Sequence, residues 1–295
     1  MAYSVWMYDP SLALAVVGSI SYGITFFAMT ATTVQHRAWY FLVVVVGAAV
    51  EVVAYCIRAY ATQNQSESGP FIATLVLTVL APIFVAGGNY LLISRLIVAV
   101  LPENSHRILG IPGRRLTPIF VACDVIAFLV QGAGSGIASS NDWAGEGGKL
   151  GEDILMSGLA FQLAAFCLFL TIFGRFHFLA TRMEVETAPH GWRRVVASVY
   201  VSSVLIMTRC VYRLVEFGQG TDEYAFNHEW LFWLFEALPM LGAIGIFCIY
   251  HPGRYLGKAD RAVTCQDIAD QDSATKSTPS TPHLTNRTRA KGESC

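Results

Sequence analysis

Eight charged side chains stand inside otherwise apolar stretches of this chain, and their spacing is helical. Glu51, Tyr55 and Arg58 fall at i, i+4 and i+7, which puts all three on one face of a helix. Arg209, Arg213 and Glu216 repeat that geometry, and Asp124 and Gln131 stand seven apart, as do Glu229 and Glu236. Gln162 follows Gly158 by one turn, and Asn89 lies beside Gly87 and Gly88, after Pro82.

A charge at the centre of a bilayer costs at least about 2.5 kcal/mol, so each of these needs a reason. Arginine keeps its proton and must be paired. Arg209 or Arg213 is therefore expected to pair with Glu236 or Glu51. The carboxylates suit a cationic head group at Glu51, Glu216, Glu229 or Glu236, with the ligand's tail left in lipid. Protonation of a buried carboxylate is then available for coupling. A blander reading is that the ion pairs only fix helix register. Acid–base catalysis by Asp124 and the glutamates is disfavoured, because no His or Ser clusters with them and no metal-ligand spacing occurs, so neither catalytic nor metal-binding residues are expected. Gly132-Ala-Gly134-Ser-Gly136 and Gly87-Gly88 read as close helix contacts, and Pro82 and Pro239 as kinks.

The elements that must hold these residues are apolar spans near 10–33, 39–61, 71–99, 116–138, 153–176, 195–217 and 228–250. Each approaches the ~20 residues that a helix needs to cross hydrocarbon. Composition agrees: 54% of the chain is hydrophobic, 14% is charged, and the mean hydropathy is +0.48. Soluble domains average about 25% charged residues. The fold expected is an all-α membrane protein, a single bundle of seven transmembrane helices over 1–256. A Ser-, Thr- and Pro-rich tail at 257–295 is expected to be disordered and cytoplasmic.

Arg37, the Arg107, Arg114, Arg115 group, the Arg182, Arg193, Arg194 group, and Arg254, Lys258, Arg261 all fall in odd loops or the tail. The positive-inside rule then places the N-terminus outside and the C-terminus in the cytoplasm. The even helices run outward, so most of the charged stripe belongs to the outer half, where an outward-open hydrated cavity would spare it from lipid. No cleavable signal pattern precedes the first span, which is expected to act as its own insertion signal.

Cys56, Cys123, Cys167, Cys210 and Cys248 lie in spans and Cys265 and Cys295 in the tail, so no disulfide framework is expected. With Cys295 in the last position given, no C-terminal prenylation box is expected. The stretch 139–152 reads as an outer, Gly-rich, acidic loop. It is no phosphate loop: Trp143 replaces the first glycine and Leu150 follows Lys149. With no nucleotide motif and no basic stripe, an ATP-driven pump, a bound cofactor and a nucleic-acid partner are all disfavoured. Asn64-Gln65-Ser66 is a glycosylation sequon on an outer loop, whereas Asn286-Arg287-Thr288 falls on the cytoplasmic side. The Ser273–Thr281 stretch of the tail offers phosphorylation acceptors.

These residues form an ordered set. Glu51-Val-Val-Ala-Tyr55-Cys-Ile-Arg58 is similar to an E-x-x-G-Y-x-x-R motif. It is followed by Leu80-Ala-Pro82, Asn89-Tyr90 with Arg95, Asp124-Val with Gln131 and Gly134, and Gly158-Leu-x-x-Gln162. Arg209-Cys-Val-Tyr-Arg213-Leu-Val-Glu216-Phe, Glu229-Trp, Phe235-Glu236-Ala-Leu-Pro239-Met and His251-Pro-Gly253 complete it. Over about residues 8–256 the chain resembles the fungal RTA-like family, the lipid-translocating exporters. Ala54 stands where that motif has glycine. The resemblance implies a seven-helix fungal membrane protein linked to resistance against toxic amphiphiles, and to export or flipping of sphingoid long-chain bases, sterol analogues or porphyrins.

The leading expectation is thus a transporter or regulator of amphiphilic lipids, with membrane lipids or other amphiphilic small molecules as its partners. The plasma membrane is the expected home, with the vacuole as the alternative. A seven-helix receptor for an amphiphilic ligand is the rival reading, weakened by short cytoplasmic loops.

Overall fold

The computed structural model describes residues 10–65, 67–100, 107–108, 111–140, 145–182, 191–219 and 228–255. The tail at 257–295, with its cysteines, acceptor residues and second sequon, lies outside them. So do 141–144 of the Gly-rich stretch and Ser66 of the first sequon.

Among the described residues, seven helices are long and apolar enough to cross a membrane. They comprise α1 (Leu12–Gln35), α2 (Leu42–Gln63, after one 3-10 turn at Trp39–Phe41), α3 (Ser68–Val100) and α4 (Gly113–Ser140). α5 (Gly145–Arg182) and α6 (Trp192–Gln219) follow. The seventh span is assembled from α7 (Glu229–Phe232), a π-helical turn (Trp233–Ala237) and α8 (Leu238–Ile249). A two-residue antiparallel pairing, β1 (Arg107–Ile108) with β2 (Ile111–Pro112), precedes α4. Consecutive spans pack side by side, α8 returns to α1, and α3 reaches across to α6.

The bundle is apolar outside and partly polar within. Val17, Ile20, Ile24 and Phe27 of α1 are exposed, as are Leu129, Val204 and Ile249, whereas Arg209, Arg213 and Glu236 are buried. Water would reverse that arrangement, while a hydrocarbon surround accounts for both halves of it. The chain is an integral, multi-pass membrane protein.

Two features depart from the sequence reading. The 139–152 loop is largely helix: α4 runs to Ser140 and α5 begins at Gly145. Glycine is a poor helix former, but here it is needed for contact. A Cβ on Gly134 would stand 2.5 Å from the Leu155 nitrogen, and one on Gly151 would meet the Ala138 backbone. A Cβ on Gly158 would stand 2.8 Å from Gln131 Cγ, so small residues bring α4 and α5 into backbone contact where residues 127–138 pass 151–158. At 38 residues, α5 is about 57 Å long by the rise of an α-helix and overruns the hydrocarbon.

The second departure is the π turn. Pro239 has no N–H to donate to the Phe235 carbonyl, as an α-helical register would require. The helix instead widens, with Leu238 N–H donating to the Trp233 carbonyl. At the far end of this span, Gly253 N–H donates to His251 Nδ1 (3.2 Å), which leaves Nε2 to carry the proton and bond Thr33 Oγ1 (3.2 Å). That clasp ties the end of the seventh span to the last turn of α1.

Candidate functional site

The predicted residues resolve into layers stacked along the bundle axis. Glu51, Tyr55 and Arg58 climb one face of α2, and Glu236, Trp233 and Glu229 descend the seventh span beside them. Ser11, Gly18 and Tyr22 of α1 complete the wall.

The layer at the Ser11 end of the bundle is a clasp. Arg58 Nη2 meets Glu229 Oε1 at 3.5 Å, and Trp233 Nε1 donates to the same oxygen at 3.1 Å. The other oxygen, Glu229 Oε2, accepts the Ser11 backbone N–H at 2.9 Å, where Ser11 caps α1. Arg58 also stacks over the Phe232 ring, 4.1 Å from its centroid.

Below lies an aromatic layer. Tyr22 and Tyr55 stack with centroids 4.7 Å apart, and Tyr55 reaches Trp233 at 5.5 Å. Gly18 makes this possible, since a Cβ there would stand 2.8 Å from the Trp233 ring and 3.0 Å from Tyr55. Tyr22 donates its hydroxyl to the Ala237 carbonyl at 2.6 Å, which pins α1 to the end of the π turn.

The third layer holds the charge. Arg209 Nη2 donates to Glu236 Oε1 at 2.9 Å, and Arg213 Nε lies 3.5 Å from Glu236 Oε2. Arg213 Nη1 also meets Glu216 Oε2 at 3.0 Å, and Tyr212 donates to Glu216 Oε1 at 3.2 Å. Both arginines thus share Glu236, and neither bonds Glu51, the other partner expected from sequence. Arg209 Nη2 has a second acceptor, the Thr78 carbonyl at 2.6 Å. The reason is in α3: Pro82 has no N–H for the carbonyl four residues back, and that carbonyl is Thr78. The guanidinium takes the place of the missing helix bond.

Glu51 is the exception in this layer. It is 1% exposed, lies within electrostatic reach of Arg209 and Glu236, and makes no hydrogen bond from either oxygen among the described residues. The rest of the layer balances without it, two guanidiniums against Glu216 and Glu236.

The remaining residues stand apart from these layers. Asp124 accepts from Tyr90 at 2.9 Å, within the aromatic stack that Tyr90 forms with Phe120, Phe166 and Phe169. Gln131 donates to Gln162 at 2.9 Å across the α4–α5 seam, so this pair joins two helices and leaves the charged layer alone. Asn89 Nδ2 faces Ser202 and Ser203 of α6 at 3.3 and 3.5 Å. Asn64 ends α2, with its amide returned to the Tyr60 carbonyl at 3.3 Å.

Where the sequence suggested a hydrated cavity, the described residues of these layers are buried and packed on one another, with Glu51, Arg58, Arg209, Arg213 and Glu236 each at 5% exposure or less. A cleft of about 450 Å³ opens at the other end of the bundle, lined by Arg194, Ser198, Val201, Ile246 and Tyr250. Ser11, Tyr22, Thr78, Tyr90, Ser202, Ser203, Tyr212 and Trp233 were not among the expected site residues. Of these, Tyr90 and Tyr212 stood within the quoted motifs, and Thr78 had a signal as the carbonyl that any proline at 82 must orphan.

Fold and site together define a seven-helix, multi-pass membrane protein whose polar groups face its own interior. The chain belongs to the family described as RTA1 like protein, whose model matches residues 44–259. It is 30% identical over 269 residues to the probable lipid transporter atnI of Emericella nidulans, covering 86% of this chain and 68% of that one. It is 32% identical to the protoporphyrin uptake protein 1 of Saccharomyces cerevisiae, covering 76% of this chain and 72% of that one. Identity to the sphingoid long-chain base transporter RSB1 of the same yeast is 25%, with 83% and 72% covered. No solved structure matches the chain.

Proposed function

We propose that this protein moves amphiphilic lipids across the membrane, exporting sphingoid long-chain-base-like molecules or toxic amphiphiles and so giving resistance to them. It acts by binding and moving its ligand, with no chemistry done on it. The observation that carries this reading is the buried charged layer within an apolar bundle, in a chain related to proteins named for lipid, long-chain-base and porphyrin transport. The layer offers the polar surface that a head group needs, while lipid outside the bundle receives the tail. The Ser11 end faces out and the arginine-rich end, with Arg37, Arg193, Arg194 and Arg254, faces the cytoplasm of a plasma-membrane protein.

The test is the leaflet distribution of a labelled long-chain base in cells with and without the protein. Faster appearance in the outer leaflet is expected, with loss of that gain in Glu236→Gln. Equal flipping in both cell lines refutes the reading. Labelling of single cysteines placed at Gln65 and Arg254 by a membrane-impermeant reagent checks orientation: Gln65→Cys is expected to react from outside and Arg254→Cys only after permeabilisation.

A further inference from the structure

We propose that Glu51 is the docking carboxylate for the cationic head group of the ligand, closed in this conformation beneath the Tyr22–Tyr55–Trp233 layer and the Arg58–Glu229 clasp. The inference rests on the transport reading above and narrows it to one residue and one ligand charge.

Every other charged group in the three layers already has an opposite partner: Arg58 with Glu229, and Arg209 and Arg213 with Glu236 and Glu216. Glu51 alone is supernumerary. A bare carboxylate at 1% exposure, without a hydrogen bond to either oxygen, would cost several kcal/mol. The site is therefore complete only when a cation or a proton occupies it. A structural carboxylate would have recruited Arg209, which lies within electrostatic reach but is spent on Glu236 and on the carbonyl freed by Pro82.

The surroundings select the class of cation. Tyr55 stands one helical turn above Glu51 with Tyr22 stacked on it at 4.7 Å, so a cation reaching the carboxylate parts these rings and exposes their faces, which suits an ammonium. A primary ammonium has three donors for the two free oxygens. A metal ion would want further ligands, and no group of three or more His, Cys, Asp or Glu able to hold one occurs among the described residues. The layers above Glu51 are held by α1, whose outer side is exposed along Val17, Ile20 and Ile24. A ligand head reaching Glu51 between α1 and α2 leaves its tail in the same apolar surround.

The experiment uses the full-length protein purified in detergent, with binding read by quenching of tryptophan fluorescence. The probes are a C18 sphingoid base bearing a primary amine and its N-acetylated, uncharged counterpart. Wild type is expected to prefer the amine, and Glu51→Gln to weaken amine binding about tenfold or more while leaving the N-acetyl probe unchanged. If wild type prefers the amine and Glu51→Gln keeps that preference, the assignment of Glu51 is overturned and the transport reading stands. If wild type binds both probes equally, recognition of a cation is overturned. If it binds neither, the long-chain-base reading itself falls, and this inference with it. Should Glu51→Gln not survive purification, Glu51→Asp keeps the charge on a shorter arm. Weaker amine binding with unchanged N-acetyl binding is expected, and an unchanged ratio overturns the proposal.

Discussion

Replacing Pro82 with alanine should partly rescue the loss of Arg209. Arg209→Met removes the guanidinium that serves both Glu236 Oε1 and the Thr78 carbonyl. Breaking a buried ion pair from one side costs about 3–5 kcal/mol. Here the lower half applies, because Arg213 remains 3.5 Å from Glu236 Oε2. Within that total, a buried carbonyl left without a donor accounts for about 1–3 kcal/mol. Pro82→Ala supplies an N–H in register for that carbonyl, and alone it should change stability by less than about 1 kcal/mol. The double variant should therefore be more stable than the sum of the singles by about 1–2 kcal/mol. Equilibrium unfolding of the purified protein in mixed micelles of rising SDS fraction, followed by tryptophan fluorescence, measures all four corners of the cycle. A coupling energy under about 0.5 kcal/mol would refute the claim that Arg209 stands in for the missing helix bond.

Other expectations concern the seams. Gly151→Leu places atoms against the Ala138 backbone and should abolish monodisperse elution in size-exclusion chromatography, whereas Gly132→Ala, where a Cβ meets nothing within 4 Å, should elute as wild type. Tyr90→Phe strands Asp124 Oδ2 and should lower stability by about 1–3 kcal/mol, while Asp124→Asn keeps an acceptor for the tyrosine and should cost less, both read by thermal unfolding. His251→Ala opens the clasp on Thr33 and should lower the unfolding midpoint of the purified protein, by a loss of about 1–3 kcal/mol.

The seven spans were legible because a run of some twenty apolar residues has few other uses, and the inward stripes because Glu51, Tyr55 and Arg58 share a helical face in any window. The ends of α5 were not. Gly145 to Gly151 reads as a breaker from propensity alone, and only the approach of the Ala138 backbone in α4 turns Gly151 into a requirement. Partner choice was illegible for a related reason. Arg209 and Arg213 had two candidate carboxylates, and the winner was set by the π turn at Trp233–Ala237, which aims Glu236 inward, and by Pro82 in another helix. The closed clasp escaped notice because one of its members is the backbone N–H of Ser11, which no residue type announces.

The bond between Arg209 and Thr78 also dates the assembly of the molecule. The two residues are 131 positions apart, so at a synthesis rate of about 5–20 residues per second α3 enters the membrane roughly 7–26 seconds before α6 is made. Throughout that interval the Thr78 carbonyl waits without its donor. When Arg209 emerges, Glu236 is still 27 residues away, and the oxygen vacated by Pro82 is already in place to receive the guanidinium. A proline in the third helix thus gives the most difficult residue of the sixth a first partner during translation, before its permanent counter-ion exists.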